Sequence, residues 1–508
     1  MKTSKTFKNL VLIAVICAFI YACNGNKNVD IAYEDTVDTT LDISYYLPGD
    51  LNVDATEREL ALFAWKEFFA LNWQSSWTKD SLRTVADSTW NFATGGAQPD
   101  LAVWETYIHR IELRPANATR TKDLTKGLPY YTFIDSTKVN VGPDAIDLDK
   151  YWNVLDEDNE IGSAYLFAHE NEYEVLYAAK SNLVEYNYIK DNFPTDTELY
   201  AASNKGSGTA YLKTLSNAQM CATDSLTSKG VICLPCGDNN GNAGVLEIKL
   251  AFRKLDASKG DDSSRFITKE VVNFTNNKTT GNIDANVDTF GLIGMHIIRK
   301  TKNYPAFVFA SWEQVDARND DMQTIGLDLV KVNDTLHADV DPHRLNPVIE
   351  RVIPETLQDI NSYVHNTIKG ENSASKWQYY QLIGVQATPL DYVDRTGDNN
   401  YFMANYVIES DLTLTNFHGS FSDPFNKTLQ NVVCNKRSYN MGGCQGCHGQ
   451  AQKSGTDFSF LLDNAGKPVA TPDIYQTYEE AYNSAQPKDL LLNETEVKKM
   501  KTYFKTYE

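Results

Sequence analysis

The 508-residue chain predicts an α+β fold: a large N-terminal domain of helices with a mostly antiparallel sheet, then a small all-α C-terminal domain. Three observations carry this prediction. Apolar residues recur at helical spacing between 60 and 71, apolar and polar residues alternate from 246 to 253, and helical patterning returns from about 411.

Taken in order, Lys2, Lys5 and Lys8 precede a short apolar core from Leu10 to Ile20, the pattern of an export signal and too short to span a bilayer. Ile20-Tyr21-Ala22-Cys23 resembles a bacterial lipobox, departing from it only in Ile at a position usually held by Leu. Residues 1–22 are therefore expected to be a lipoprotein signal peptide, with Cys23 as the lipid anchor. Residues 23–50 are polar and read as a tether. Residues 51–410 form the large domain and 411–508 the small one.

Asp54 is an N-cap candidate for a helix in which Leu60, Ala64, Phe68 and Leu71 share a face broadened by Trp65, Phe69 and Trp73. Further helices are expected over 101–113 and 171–191. Leu246, Ile248, Leu250 and Phe252 alternate with Glu247, Lys249, Ala251 and Arg253, which predicts a half-buried strand. Strands are also expected over 266–274, 290–300, 306–315 and 377–385. In the C-terminal domain the expected helices are 457–462, 474–482 and 494–507. Asn493 and Glu496 would cap the last, and Val497, Met500 and Phe504 line one face of it.

One run specifies a cofactor. Cys444-Gln445-Gly446-Cys447-His448 is C-x-x-C-H, in which two thiols can add across the vinyl groups of a haem and the following histidine ligates iron from the proximal face. One covalent haem c is expected, held by Cys444, Cys447 and His448. A short helical segment after the motif and a terminal amphipathic helix fit a small cytochrome c-like domain. Cys221, Cys233, Cys236 and Cys434 remain, and an oxidising compartment favours disulfides among them in any of three full pairings. Cys233-Leu234-Pro235-Cys236 has thioredoxin-like spacing without the preceding aromatic or following helix, so a structural bridge is expected there.

Several stretches resemble those of a family of large exported bacterial proteins with a cytochrome c-type C-terminus, mostly without assigned function. They are Ala64 to Trp73, Val103-Trp104-Glu105-Thr106, Leu246 to Lys249, Gly291 to Ile297, Trp312 to Asp316, Tyr380 to Gly384, and the haem motif followed by Asp457-Phe458-Ser459-Phe460. The resemblance implies a haem-c protein and supplies no substrate.

The iron's opposite face is open to several candidates. Between Gly449 and Leu492 there is neither Met nor His, so the usual downstream methionine of a small cytochrome is absent. Met500 lies on an apolar helical stripe and reads better as packing. Met441 is too close to Cys444 to reach across the ring. His418, in a Gly/Ser-containing segment, could fold over the haem. His296, on an expected strand face with Leu292, Gly294 and Ile298, becomes a ligand only where the large domain packs over the cofactor.

The expected function is electron transfer by a lipid-anchored protein of the cell envelope, facing the periplasm or in the outer membrane. The alternative is a haem-dependent oxidoreductase or peroxidase with its substrate site at the large domain. The formal charge is −20, and a chain beginning at Cys23 loses three lysines and no acid. That balance argues against nucleic acid and suits a basic redox partner. Membrane contact is expected through the lipid alone. The chain has no H-E-x-x-H, P-loop, G-x-S-x-G or dinucleotide fingerprint.

Overall fold

The computed structural model describes residues 41–113, 131, 139–140, 152–155, 175–203, 207–221, 227, 230–238, 241–317, 353–389, 405, 407–408, 430–440, 443–462 and 471–475. Cys23, His418, Met441 and Met500 lie outside them, as do residues 410 and 411 and the last expected helix.

The principal helices are α1 (Glu57–Asn72), α2 (Leu183–Asn192), α3 (Glu355–Glu371) and α4 (Gly443–Ser454). The first strands in the chain are β1 (Ile108–His109), β2 (Val139–Asn140), β3 (Leu176–Ser181), β4 (Leu246–Lys254) and β5 (Thr268–Asn276). They are followed by β6 (Ile283–Arg299), β7 (Val308–Gln314), β8 (Tyr380–Gln386), β9 (Gln430–Cys434) and β10 (Arg437–Asn440).

Eight strands form one sheet in the order β1-β3-β4-β6-β7-β8, with β2 and β5 both pairing β6. Every pair in it is antiparallel except β2 with β6, which accords with the expected α+β class. The two faces of the sheet are covered differently. Met295, Ile297, Trp312 and Leu382 pack in one core with Trp65, Phe68 and Phe69 of α1 and Ile360 and Val364 of α3. Ile298 and Phe309, pointing the other way by the two-residue period of a strand, pack with Ile189 of α2, Cys444 of α4, Phe458 and Leu462.

Helix α1 is capped by Thr56, not by the expected Asp54. The Thr56 hydroxyl accepts from the Glu59 N–H, and the Glu59 carboxylate accepts from the Thr56 N–H, satisfying two donors that the helix itself leaves unpaired. From Ala61 to Asn72 every residue is buried, because α1 packs against both the sheet and its neighbour α3. Trp65 Nε1 donates to Asn361 Oδ1 on α3, and the Phe68 ring tilts against Trp312 at 5.5 Å between centroids.

Several expected elements are corrected. Residues 101–113 are not one helix but a 3-10 turn (Val103–Thr106), strand β1 and a short helix (Arg110–Leu113). Arg83 donates to the Thr106 and Tyr107 carbonyls, occupying acceptors that a continuous helix would need for itself. Of the helix expected over 171–191, the described residues 175–191 split into β3 and α2, with Asn182 capping the helix. Strand β3 runs between β1 and β4 and is buried on both faces, so it lacks the alternation that marks a half-buried strand. Strand β6 begins at Ile283, where its polar first half pairs with β5.

Residues 41–50, expected in the tether, join the body. Ile43 and Leu47 are in the main core, and the Pro48 carbonyl accepts from Arg299. The C-terminal region is not wholly helical either. Strands β9 and β10 form a hairpin whose two turn residues, Asn435 and Lys436, are both left-handed (φ 47° and 65°). This turn suits the strand twist, but without the usual glycine it gives little sequence signal. Residues 457–462 form turns, not a helix. The disulfide joins Cys221 to Cys236 and leaves Cys233 as a buried thiol, so the expected bridge draws its second cysteine from outside the C-x-x-C run. Among the described residues no helix is long and apolar enough to cross a membrane.

Candidate functional site

The C-x-x-C-H run occupies the first turns of α4, which starts from Gly443 in a left-handed conformation (φ 78°) that glycine adopts without strain. At this spacing Cys444, Cys447 and His448 fall three and four residues apart, on one side of the helix. Both thiols are buried, and no disulfide joins them.

Gln445, between the cysteines, ties the helix to the sheet. Its N–H donates to Gln386 Oε1 of β8 (2.9 Å), and its side-chain amide donates to the Ala306 and Phe307 carbonyls, each at 3.0 Å. Two turns further on, Gln452 pairs with both the N–H and the carbonyl of Val433 on β9. The motif is thus held by backbone groups of two other segments.

His448 lies between two aromatic rings, Phe309 of β7 at 4.8 Å and Phe460 at 4.7 Å between centroids. Its Nδ1 is 2.7 Å from the Phe458 carbonyl. A carbonyl can only accept, so Nδ1 carries the proton and Nε2 is left with the lone pair. That tautomer is the one an iron-ligating imidazole requires.

The acceptor is held in an unusual backbone. Gly455 (φ 107°) ends α4, and Asp457 and Phe458 follow with φ 51° and 73°. Asp457 is buried, paired with Lys300 Nζ and receiving the Leu234 N–H at 2.6 Å. Burial raises the Asp457 carboxyl above its ordinary value, and Lys300 opposes that. Nearby, Ser459 Oγ faces Glu185 Oε1 at 3.5 Å. Burial, then repulsion and hydrogen bonding with Glu247, push the Glu185 carboxyl well above the ordinary range.

Of the expected ligand residues, the structure brings Cys444, Cys447 and His448 together. His296 is buried on β6, opposite Lys249 on β4 and Ser311 on β7. Two residues along the strand, on the same face, Ile298 shares an apolar cluster with Cys444 and Phe458. His296 therefore lies on the sheet face that receives the motif helix, one row away. Two residues the other way, a Cβ on Gly294 would meet Val407 and Ile408, which cover that part of the face.

Sequence reasoning missed Gln445, Gln386, Lys300 and Phe309, whose partners are distant in the chain. It noted Asp457 and Phe458 only for their resemblance and as the start of an expected helix. Among the described residues no group of three or more His, Cys, Asp or Glu side chains is arranged to hold a metal ion. The haem reading requires none, because its iron would come bound in the porphyrin. No protein-family model, curated protein or solved structure matches the chain.

Proposed function

We propose that this protein is an exported, lipid-anchored c-type cytochrome that transfers electrons through one haem bound covalently at Cys444 and Cys447, with His448 as proximal ligand. The observation that carries the reading is the bond from His448 Nδ1 to the Phe458 carbonyl, beside two buried thiols on the same side of α4. Haem held there would supply one-electron exchange at its iron.

The chain's own residues do the rest. Phe309 and Phe460 flank the half-buried imidazole and hold its orientation. Gln445 and Gln452 fix the helix against the sheet and the hairpin, so the thiols and the histidine move as one unit. Of the sixth-ligand candidates His418, His296 and Met500, His296 lies among the described residues, on the sheet face that receives the motif helix. The export and anchor elements rest on the sequence signals around Cys23.

The test is expression with haem-maturation machinery. The expected product carries one haem that denaturation and acidic extraction do not remove, and replacing Cys444 and Cys447 by Ala abolishes it. Carbon monoxide then separates the carrier from the oxidoreductase or peroxidase alternative. A reduced protein that does not bind it supports the carrier, and one that binds it with peroxide turnover supports the enzyme.

A further inference from the structure

Left-handed φ at a bulky residue costs on the order of 1–2 kcal/mol, and Asp457 and Phe458 adopt it consecutively (φ 51° and 73°). Such backbone persists only where its surroundings fix it. Here the fixing groups belong to the large domain. Lys300, just beyond β6, pairs with the Asp457 carboxylate, and the Leu234 N–H donates to the same oxygen. Lys300 is itself held, because its N–H donates to the Val245 carbonyl and its carbonyl accepts from Gly237. The Phe458 ring packs on Phe307 at 5.7 Å. This bracing leaves the Phe458 carbonyl facing His448 Nδ1 at 2.7 Å.

We propose that the Lys300–Asp457 pair is a positioning device through which the sheet domain sets the hydrogen bond on the His448 imidazole, and with it the reduction potential of the haem. The proposal rests on the haem reading above. A carbonyl accepting from Nδ1–H makes the ring a stronger donor through Nε2, which favours oxidised iron. Without the buried charge-assisted bond to Asp457, residues 457–458 relax toward ordinary φ values and the carbonyl turns away. The imidazole then donates less strongly and the potential rises.

The experiment uses the full-length haem-loaded protein and its Asp457→Asn, Lys300→Arg and Lys300→Met/Asp457→Asn variants. Midpoint potentials are measured by spectroelectrochemistry, and the His448 Nδ1 proton is followed by NMR of 15N-histidine-labelled protein. Asp457→Asn is expected to shift the reduction equilibrium at least tenfold toward the reduced form, about 59 mV for one electron. It should also abolish the slowly exchanging Nδ1 proton. Lys300→Arg keeps the charge and is expected to retain both properties. The double variant removes the pair without stranding one buried charge, so it remains folded and reproduces the Asp457→Asn shift. A folded, haem-loaded double variant with unchanged potential and an unchanged Nδ1 proton overturns the proposal. If the parent never takes up haem covalently, the haem reading itself fails. The Nδ1 proton of that haem-free protein still reports on the device: its loss in Asp457→Asn upholds the positioning role, and its persistence overturns it.

Discussion

Glu67 lies on the buried side of α1 with its carboxylate 3.3 Å from Arg299 Nη1, and burial pushes its pKa up to about 7 despite that partner. Between the ordinary 4.5 and about 7 the native state holds a proton that the unfolded chain has released. Stability from this group is therefore fully present below 4.5 and declines as pH rises through the window. Glu67→Gln should flatten that decline by roughly 3 kcal/mol, measured as urea midpoints from pH 4 to 8; an unaltered slope would refute the assignment. Arg299 keeps the Ala243 and Pro48 carbonyls in the variant. At this scale the sequence was legible where chemistry is local. Cys444, Cys447 and His448 are recognisable because five consecutive residues fix their spacing. Lys300 was not recognisable as a partner of the motif, since Asp457 is 157 positions away, and Gln445 meets Gln386 only after the sheet has formed.

Helices and strands were legible where the sequence keeps a period and lost where it does not. The alternation in β4 marked it as a strand, though not the half-buried one expected, since Glu247, Ala251 and Arg253 are buried as well, whereas β3, whose sequence does not alternate, was absorbed into an expected helix. Helix α1 was evident from its spacing, but its start was misplaced by two residues because Asp54 and Thr56 are both plausible caps. Thr56→Ala should therefore destabilise the protein by about 1 kcal/mol and Asp54→Ala by much less, as read from denaturant midpoints. Deeper in α1, Phe68 contacts Trp65, Phe69, Trp312, Trp377 and Tyr380. Phe68→Ala should cost about 3–5 kcal/mol. The Cys221–Cys236 bridge closes a loop with a sequence separation of 15. Replacing both cysteines with Ala should cost about 3 kcal/mol. Cys233 will not substitute readily at neutral pH, because burial pushes its thiol up to about 12 and leaves little thiolate to react.

For the whole molecule, the sheet is the common wall between two layers. Helices α1 and α3 cover one face, and α2 with the haem-motif helix covers the other. The motif is therefore built into the large body as well as into its own C-terminal segment, through Gln386, Phe309 and Lys300. Sequence patterning could not reveal this, because no local period encodes which face of a sheet a distant helix will occupy. At the same scale the anchor is testable apart from the cofactor: Cys23→Ser should move the protein from the membrane fraction to the soluble envelope fraction. The central claim, covalent haem at the C-x-x-C-H helix, is tested most directly by intact-protein mass together with a pyridine haemochrome spectrum after expression with the maturation machinery. The account predicts a mass increase of one haem and a c-type band, both lost when Cys444 and Cys447 are replaced by Ala. An unmodified mass and no c-type band, with Cys444 and Cys447 still open to alkylation on denaturation, would contradict it.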